Sequence, residues 1–557
     1  MGASAFWKMA NKIVLGSILI TGLILRLSGL WYGLPSKNRA LTTYHPDEPI
    51  SYYSLERMKP SKLNFHPGDG FFWGSMHLYS LGFCLQMAKI LNVIQIPSRQ
   101  YLINHIEMAD RLYVIGRLLS IIFGMATVFL VYILCNKFWD HTVALTSSFL
   151  LALCPAHIFN SFVVRPDVMM VFFGMGVLYY SYMILEYGLK KFYILAGLLS
   201  GFAAATKYNG GAFVLCALIA HFLMRPTDPK FLWIIFFSII GFLVGCPYAL
   251  IDFKTFINYL ALSGSLSKDV SSTITYGPGW KSYITIYLPH ALGCIILLLG
   301  IAGFLLITFR LYRHRDGSLQ DERLKNSHLL FLISTLIIYL VSCWPGHQMV
   351  WYTLPVVPFF IISASYFLKI SWEWLKKYKL GWLWIFIFIA ILIYNGAYSF
   401  AHLNLYIQKN TRELASEWID KNIPQGKIIG IARSYFWTPG ILRQYHPPYQ
   451  LIEGGNSQSL LDDAILGLER VSKQINYIVI TEYEYRTYLH PLFSSKYPEQ
   501  VRVIQTIMNK DFIEIARFDK EAKFLWFKFQ KGDFPPYDWI MPNPTIRIFK
   551  TKREYKI

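Results

Sequence analysis

Long apolar runs alternate with short basic turns over the first three quarters of the chain. A run of this length, in a helix, crosses a hydrocarbon layer roughly 30 Å thick. The runs lie at residues 13–30, 113–135, 142–160, 168–186, 192–206, 210–224, 231–250, 284–309, 328–343, 351–368 and 382–402. The pattern predicts an α-helical polytopic membrane protein with about eleven transmembrane helices.

The first run, Ile13 to Leu30, follows Lys8 and Lys12. It is too long for a signal-peptide core, and no small-residue cleavage site follows it. We therefore expect a retained helix with a cytoplasmic N-terminus.

Basic residues test this orientation, because they collect in cytoplasmic loops. With the N-terminus inside, nearly every basic cluster falls on the cytoplasmic side: Lys137, Lys190 and Lys191, Arg225 and Lys230, Arg310 to Lys325, and Lys369 to Lys379. An odd number of spans places the C-terminal part outside. With no eukaryotic retention signal ending the sequence, we expect a plasma (inner) membrane location.

The stretch Phe71 to Ile94 is also apolar, but it carries His77, Gln86 and Lys89. Counting it as a span would invert every later loop and move the basic clusters outside. We interpret it as an interfacial helix on the outer surface. Residues 31–110 then form one long outer loop within a membrane domain of residues 1–410. Loops this long are usually functional.

From about residue 411 the pattern changes to that of a small extracytoplasmic α/β domain, residues 411–557. NTRELASEWIDKNIPQG has the start and stop signals of a helix. Six segments have the composition of strands: KIIGIA, YQLIE, INYIVITEY, VRVIQTI, FIEIARF and FLWFKF. Aromatic segments such as Tyr483 to Tyr485 and Tyr537 to Trp539 are expected in strands and core, or stacked on sugars.

Composition agrees with a membrane protein. Hydrophobic residues make up 54% of the chain and charged residues 15%, against roughly 25% charged in soluble proteins. The net charge of +20 suggests nucleic acid at first sight, but residues 411–557 hold 21 basic against 17 acidic residues. The excess lies in the turns between spans, so we expect no nucleic acid partner.

The seven cysteines lie in or beside apolar runs, and their spacing indicates neither a disulfide framework nor a metal site. No glycine-rich nucleotide motif is present. The sequence thus predicts no metal and no cofactor.

Polar side chains collect at the predicted outer ends of the spans. Ionisable groups at such depth are costly and are functional candidates. The set comprises Tyr44 to Glu48, His66, Asp69, Arg165 to Asp167, Lys207 to Asn209, Gly277 to Trp280, and Cys343 to Gln348.

His45-Pro46-Asp47-Glu48 is the most informative member of this set. Pro46 restricts His45 to an extended conformation, and Asp47 and Glu48 would open a helix. The structural alternative is the ordinary preference for acidic residues at helix starts. In the functional interpretation, a carboxylate here acts as a general base on an acceptor hydroxyl.

Arg165, Lys207 and His347 would supply a cationic pocket for a phosphate at the bilayer surface. Each also has a structural alternative. Lys207 would simply extend to the interface at a span end, Arg165 and Asp167 would form a local ion pair, and His347 would cap an interfacial turn.

The order of these features resembles the GT-C superfamily of membrane glycosyltransferases. The resemblance rests on one span, a long outer loop with an H-x-D-E motif, a basic turn at 136–140, and R-P-D at the outer face. It covers most of residues 10–410. Within the superfamily the chain resembles dolichyl-phosphate-mannose protein mannosyltransferases and bacterial lipid A aminoarabinose transferases, through Pro155 to Val168 and Trp351 to Pro358.

The resemblance implies a sugar donor linked to polyprenyl phosphate, a glycan, lipid or protein acceptor, and no metal. Asp47 would be the base of an inverting displacement, and Glu48 would assist or position it. Asp167 would help to bind the acceptor or orient the sugar, with His45 also in the site. Basic residues at span ends would hold the phosphate. Where the late motif of the family has Arg, this chain has Trp351, so His347 or Lys207 would take over its role.

Two other classes remain open. A transporter or lipid flippase places its ionisable groups near the bilayer midplane, often in repeated halves, whereas the charges here lie at span ends. A membrane-anchored sensor with an exported ligand-binding domain would not need about eleven spans.

Overall fold

The computed structural model describes residues 3–268, 276–313, 319–344, 346–434, 436–440, 449–455, 461–532 and 535–552. It is mostly helical up to residue 407 and has a small sheet domain after that.

The helices of the first part include both long apolar helices and short connecting ones. In chain order they are α1 (Ala3–Ser28), α2 (Pro35–Asn38), α3 (Glu48–Arg57), α4 (Met76–Ile90), α5 (Arg99–Asn104), α6 (Ile106–Phe138), α7 (His141–Ala152), α8 (Pro155–Ser161), α9 (Asp167–Tyr187), α10 (Lys190–Thr206), α11 (Val214–Met224), α12 (Phe231–Gly245), α13 (Tyr248–Ile251), α14 (Phe253–Lys268), α15 (Gly279–Ser282), α16 (Leu288–Leu292), α17 (Cys294–Arg313), α18 (Leu319–Cys343), α19 (Val357–Lys377) and α20 (Gly381–Ile407).

A helix lies at each of the eleven predicted apolar runs. The number of long apolar helices shows that the chain is a multi-pass membrane protein. Within the described residues, six helices are long and apolar enough to cross a membrane. The α7–α8 pair becomes a seventh if it counts as one span, bent by 61° where Pro155 begins α8. The helices Tyr208–Met224 and Phe231–Gly245 are apolar but shorter. The predicted number of eleven thus includes helices that need a thin or deformed bilayer to span it.

The predicted cytoplasmic turns lie at one end of the bundle. Lys137 is 3.6 Å from Glu186, and Lys369 is 2.9 Å from Asp140. Arg225 donates to the Ile184 carbonyl at 2.8 Å. These contacts join the turns after α6 and α11 to the last turn of α9 and the second half of α19, as a shared side requires.

The stretch Phe71 to Ile94 contains α4, whose 15 residues span only ~22 Å. Leu78, Leu81 and Leu85 are buried against the bundle, whereas Phe83 and Ile90 are exposed. This two-sided pattern suits a helix at an interface, and that location stays a prediction.

The C-terminal domain is a five-stranded mixed sheet with helices on both faces. Its strands are β1 (Ile428–Ile431), β2 (Gln450–Glu453), β3 (Tyr477–Thr481), β4 (Phe512–Phe518), β5 (Ala522–Phe524), β6 (Phe527–Phe529) and β7 (Ile546–Thr551). Its helices are α21 (Thr411–Asn422), α22 (Leu461–Val471), α23 (Glu482–Leu489), α24 (Pro491–Ser494), α25 (Pro498–Gln505) and α26 (Tyr537–Ile540). The five-stranded sheet has the order β2-β1-β3-β7-β4, with β1 parallel to β2 and β3, and β7 antiparallel to β3 and β4. The strands β5 and β6 form a separate two-stranded antiparallel sheet.

Several strand predictions in this domain are wrong in whole or in part. VRVIQTI forms the end of α25 and a π-helical turn instead of a strand. Val503, Ile504 and Ile507 are its buried residues, and their spacing fits a helix that Pro498 begins. FLWFKF is split between β5 and β6, because Leu525 takes a left-handed conformation, with φ of 51°, in the turn between them. Tyr483 to Tyr485 lie in α23 and Tyr537 to Trp539 in α26, not in strands.

The C-terminal domain packs against the outer end of the membrane domain through Arg412, which is fully buried. Its guanidinium stacks on Tyr44 of the long outer loop at 3.8 Å and donates to the carbonyls of Phe436 and Met541 at 2.9 and 2.8 Å. Arg412 therefore joins the two parts of the protein.

Glu484 makes the stability of this domain depend on pH. Burial raises the pKa of its carboxyl to about 7, against the opposing effect of hydrogen bonds from the Thr481 N–H and Trp437. Between about pH 4.5 and 7 the folded state binds a proton that the unfolded state has lost, so the free energy of unfolding decreases as the pH rises.

Glu484→Gln should therefore reduce the loss of stability between pH 5 and 8, by up to about 3 kcal/mol. The measurement is thermal unfolding in detergent, with exposed Glu499→Gln as the control. Equal pH dependence in the two variants would contradict the prediction.

Candidate functional site

Four of the predicted site residues meet at the end of the bundle opposite the basic turns. The Arg165 Nη2 lies 3.2 Å from Asp47 Oδ2 and 3.2 Å from Asp167 Oδ2. Lys207 Nζ donates to Asp167 Oδ1 at 2.6 Å. Two carboxylates and two cations thus alternate in one cluster without net charge.

Helix ends hold these four side chains. Asp47 stands just before α3, and Asp167 is the first residue of α9. Arg165 lies in the connection from α8 to α9, and Lys207 directly follows α10. A helix start also favours a negative charge electrostatically, which helps to retain Asp167 as a carboxylate.

The two carboxylates, Asp47 and Asp167, differ in solvent exposure. Asp47 has 23% of its side chain exposed, whereas Arg165 and Asp167 have 2% and 1%. Asp47 makes no capping hydrogen bond to α3. It is therefore the carboxylate of the cluster that an incoming molecule can reach.

The Arg165 guanidinium has unused hydrogen-bonding capacity. Its Nε and Nη1 atoms are buried and have no hydrogen-bond partner within the described residues. Buried donors rarely remain unpaired in native proteins. A planar guanidinium with free N–H groups is suited to bind a phosphate or a carboxylate.

Two aromatic rings line the cluster. Trp351 lies under the Arg165 guanidinium at 4.0 Å, and Tyr352 lies under Lys207 Nζ at 4.8 Å. Trp351, which we expect to stand where the resembling family has Arg, thus packs against the guanidinium of Arg165. His347 is farther out, with its ring 6.2 Å from that of Tyr352.

His45 supports the loop that carries Asp47. Its Nδ1 accepts a hydrogen bond from the Asp47 N–H at 3.2 Å, and its ring lies 5.7 Å from Trp351. Burial, together with Arg165 and Arg117, holds the pKa of His45 well below the usual value. The ring is neutral at pH 7, which is required for Nδ1 to accept this bond.

Glu48 points away from the cluster, although it is the neighbour of Asp47. It is buried and accepts two bonds from Arg117, at 2.9 and 2.8 Å. The Val164 N–H and the Thr43 hydroxyl donate to it at 2.9 and 2.5 Å. Because Val164 precedes Arg165, this carboxylate fixes the backbone beside both Asp47 and Arg165.

Arg117, Trp351 and Tyr352 were not identified from the sequence as residues of the site. Arg117 lies within an apolar helix of 33 residues, and a charge at such a position was itself a signal. No group of three His, Cys, Asp or Glu side chains in the described part of the chain could hold a metal ion.

Comparisons with known proteins support the resemblance. Residues 102–251 match a family model described as dolichyl-phosphate-mannose-protein mannosyltransferase. No curated protein was found to match the sequence.

Among solved structures, ArnT from Cupriavidus metallidurans bound to undecaprenyl phosphate is 11% identical, with 98% of each chain covered and a TM-score of 0.51. The apo oligosaccharyltransferase of Archaeoglobus fulgidus is 12% identical, with 95% of this chain and 77% of the other covered and a TM-score of 0.50. At such low identity the likeness concerns the fold, and the predicted resemblance to the GT-C superfamily is confirmed at that level.

Proposed function

Starting from this GT-C fold, we propose that the protein is an integral-membrane glycosyltransferase. It moves a sugar from a polyprenyl-phosphate donor to the hydroxyl of a glycan, lipid or protein acceptor. The observation that carries the proposal is a partly exposed carboxylate, Asp47, held 3.2 Å from an arginine with unused N–H groups. The reaction needs a base for the acceptor and a cation for the leaving phosphate within one site.

Asp47 takes the proton of the acceptor hydroxyl in the proposed reaction. The acceptor oxygen attacks the anomeric carbon, and the bond from that carbon to the phosphate oxygen breaks. The electron pair of this bond leaves with polyprenyl phosphate, and the new glycosidic bond has the inverted configuration. Because the reaction is a single displacement that needs only one base, no covalent enzyme intermediate forms.

Arg165 and Lys207 stabilise the leaving phosphate. Both cations are now paired with carboxylates. An incoming phosphate binds a free N–H group of Arg165, at Nε or at Nη1, and Trp351 keeps the guanidinium plane in place. Asp167 holds the two cations together and is near enough to orient the sugar. His347 lies beside Tyr352, with the ring centroids 6.2 Å apart, and we propose no direct role for it.

Glu48 has a positioning role in this proposal. Its carboxylate accepts a hydrogen bond from the Val164 N–H, next to Arg165. Its own backbone directly follows Asp47. The Arg117–Glu48 pair therefore determines the distance between the base and the phosphate-binding cation.

We place the cluster on the outer face of the plasma (inner) membrane. The basic turns lie at the opposite end of the bundle, and basic turns are typically cytoplasmic. The N-terminus is then cytoplasmic, and the C-terminal domain, from residue 411, is extracytoplasmic.

Loss of the Lys207 charge should weaken donor binding. A hydrogen bond between charged groups contributes about 1.5–3 kcal/mol, or about 10- to 150-fold. Lys207→Gln is expected to raise KM for the donor by at least about ten-fold and also to lower kcat, because the departing phosphate gains negative charge in the transition state. Exposed Lys254→Gln is the control, and an unchanged KM in Lys207→Gln would contradict the assignment.

A donor panel tests the proposed function. Purified protein in lipid vesicles is offered polyprenyl-phosphate sugars and, separately, nucleotide sugars, with a mixture of glycans as acceptors. We expect consumption of one lipid-linked sugar and of no nucleotide sugar. Consumption of a nucleotide sugar, or of no lipid-linked sugar, would overturn the proposal.

A further inference from the structure

A small pocket lies where the C-terminal domain meets the membrane domain. We name it the α26 pocket. Asp538 and Trp539 of α26 line one side, and Asn160 of α8 and His402 of α20 line the other. Its volume of about 40 Å³ accommodates a group of two or three heavy atoms, since one water needs roughly 10–15 Å³ on this measure.

Four polar atoms of this lining are unpaired. Asp538 Oδ1, Trp539 Nε1, Asn160 Oδ1 and His402 Nε2 have no hydrogen-bond partner among the described residues. Asn160, Asp538 and Trp539 are all more than nine-tenths buried. An unpaired buried donor or acceptor is destabilising, so four in one pocket indicate that a bound group completes them.

The chemistry of the four atoms defines that group. Asp538 and Asn160 offer acceptor oxygens, and Trp539 offers an N–H donor. His402 Nε2 either donates or accepts, according to the tautomer of the ring. A hydroxyl both donates and accepts, and so fits this set. An anion does not fit, because the lining of the pocket contains a carboxylate and neither Lys nor Arg.

The pocket adjoins the proposed site of transfer. The second oxygen of Asp538 accepts from the Val350 N–H at 2.7 Å, and Val350 precedes the Trp351 that supports Arg165. Phe159, which lines the pocket, has its ring 6.0 Å from that of His45. The rings of Phe159 and His45 therefore lie between the pocket and Asp47.

We propose that the α26 pocket binds a second hydroxyl or hydroxymethyl group of the acceptor while Asp47 deprotonates the first. The inference rests on the proposed function and specifies it: the acceptor is a saccharide, with two hydroxyl groups that lie on opposite sides of a ring or on adjacent sugar units. The C-terminal domain is then part of the acceptor site, because α26 supplies Asp538 and Trp539.

Binding of simple saccharides tests this assignment without turnover. The probes are methyl glycosides of mannose, galactose, glucose and arabinose, added to the whole protein in detergent, and the readout is ligand-detected NMR. Trp539→Phe removes the N–H, and Asp538→Asn keeps an oxygen for the Val350 N–H. Trp526→Phe is the matched control, since that ring is 79% exposed.

We expect at least one glycoside to bind wild type and Trp526→Phe, and to bind Trp539→Phe and Asp538→Asn at least ten-fold more weakly. No binding by any glycoside, or equal binding by all four proteins, would overturn the inference, as would a structure with glycoside present in which the pocket holds water only. The readout is separate from donor consumption, so failure of the proposed function and failure of this inference are distinguishable.

Discussion

Replacement of Asp47 by Asn is expected to lower sugar transfer by ~10²–10⁴-fold, the usual contribution of a general base. Asn has nearly the same shape as Asp and still offers an oxygen to Arg165, but it cannot take a proton from the acceptor. The side chain is partly exposed and makes no capping bond to α3, so the protein should fold and insert normally. The measurement is the initial rate of transfer in vesicles.

The control for this variant is Asp463→Asn, an exposed carboxylate of α22, which should transfer at the wild-type rate. Asp47→Asn should also retain donor binding, because the cations remain in place. Transfer by Asp47→Asn within about two-fold of wild type would remove Asp47 as the base.

Replacement of Arg117 by Met is expected to cost about 3–5 kcal/mol of stability, the usual result of leaving one member of a buried ion pair unpaired. Arg117 and Glu48 are both fully buried and 2.8 Å apart. Arg117 also donates to the carbonyls of Leu30 and Tyr32 at 2.8 and 2.7 Å. The variant therefore leaves one carboxylate and two carbonyls without this donor. Thermal unfolding in detergent measures the effect.

Arg111 provides the matched control, because it lies on the same helix and is exposed. Arg111→Met should unfold at the wild-type temperature. The double variant Arg117→Met with Glu48→Gln should recover part of the loss, since no buried charge is then unpaired. Equal unfolding temperatures for Arg117→Met and Arg111→Met would show that the pair does not stabilise the fold.

The sequence alone predicts which residues lie in the site better than it predicts the directions of their side chains. Asp47, Arg165, Asp167 and Lys207 were expected together because all lie at span ends on one predicted face, and the structure brings them together. Their chemical roles stay predictions. Glu48 is adjacent to Asp47, but neighbouring side chains of a helix start point in different directions, and only the packing of α6 determines which one meets Arg117.

Long-range contacts account for what could not be predicted. Asp538 meets Val350 across 188 positions of the chain, and no local pattern encodes such a pairing. In the C-terminal domain, VRVIQTI has strand composition, but burial every three or four residues against the sheet favours a helix. The membrane helices were easier to predict, because the bilayer imposes one length and one composition on all of them.

The central claim is that this membrane protein breaks the bond between sugar and phosphate and does not carry the lipid-linked sugar across. Vesicles with a labelled polyprenyl-phosphate sugar, the wild-type protein and a glycan acceptor allow both events to be measured in one sample. We expect polyprenyl phosphate and glycosylated acceptor to appear in equal amounts, with no faster movement of the intact donor between leaflets than in protein-free vesicles. Rapid transbilayer movement of the intact donor without release of polyprenyl phosphate would contradict the account and identify a transporter.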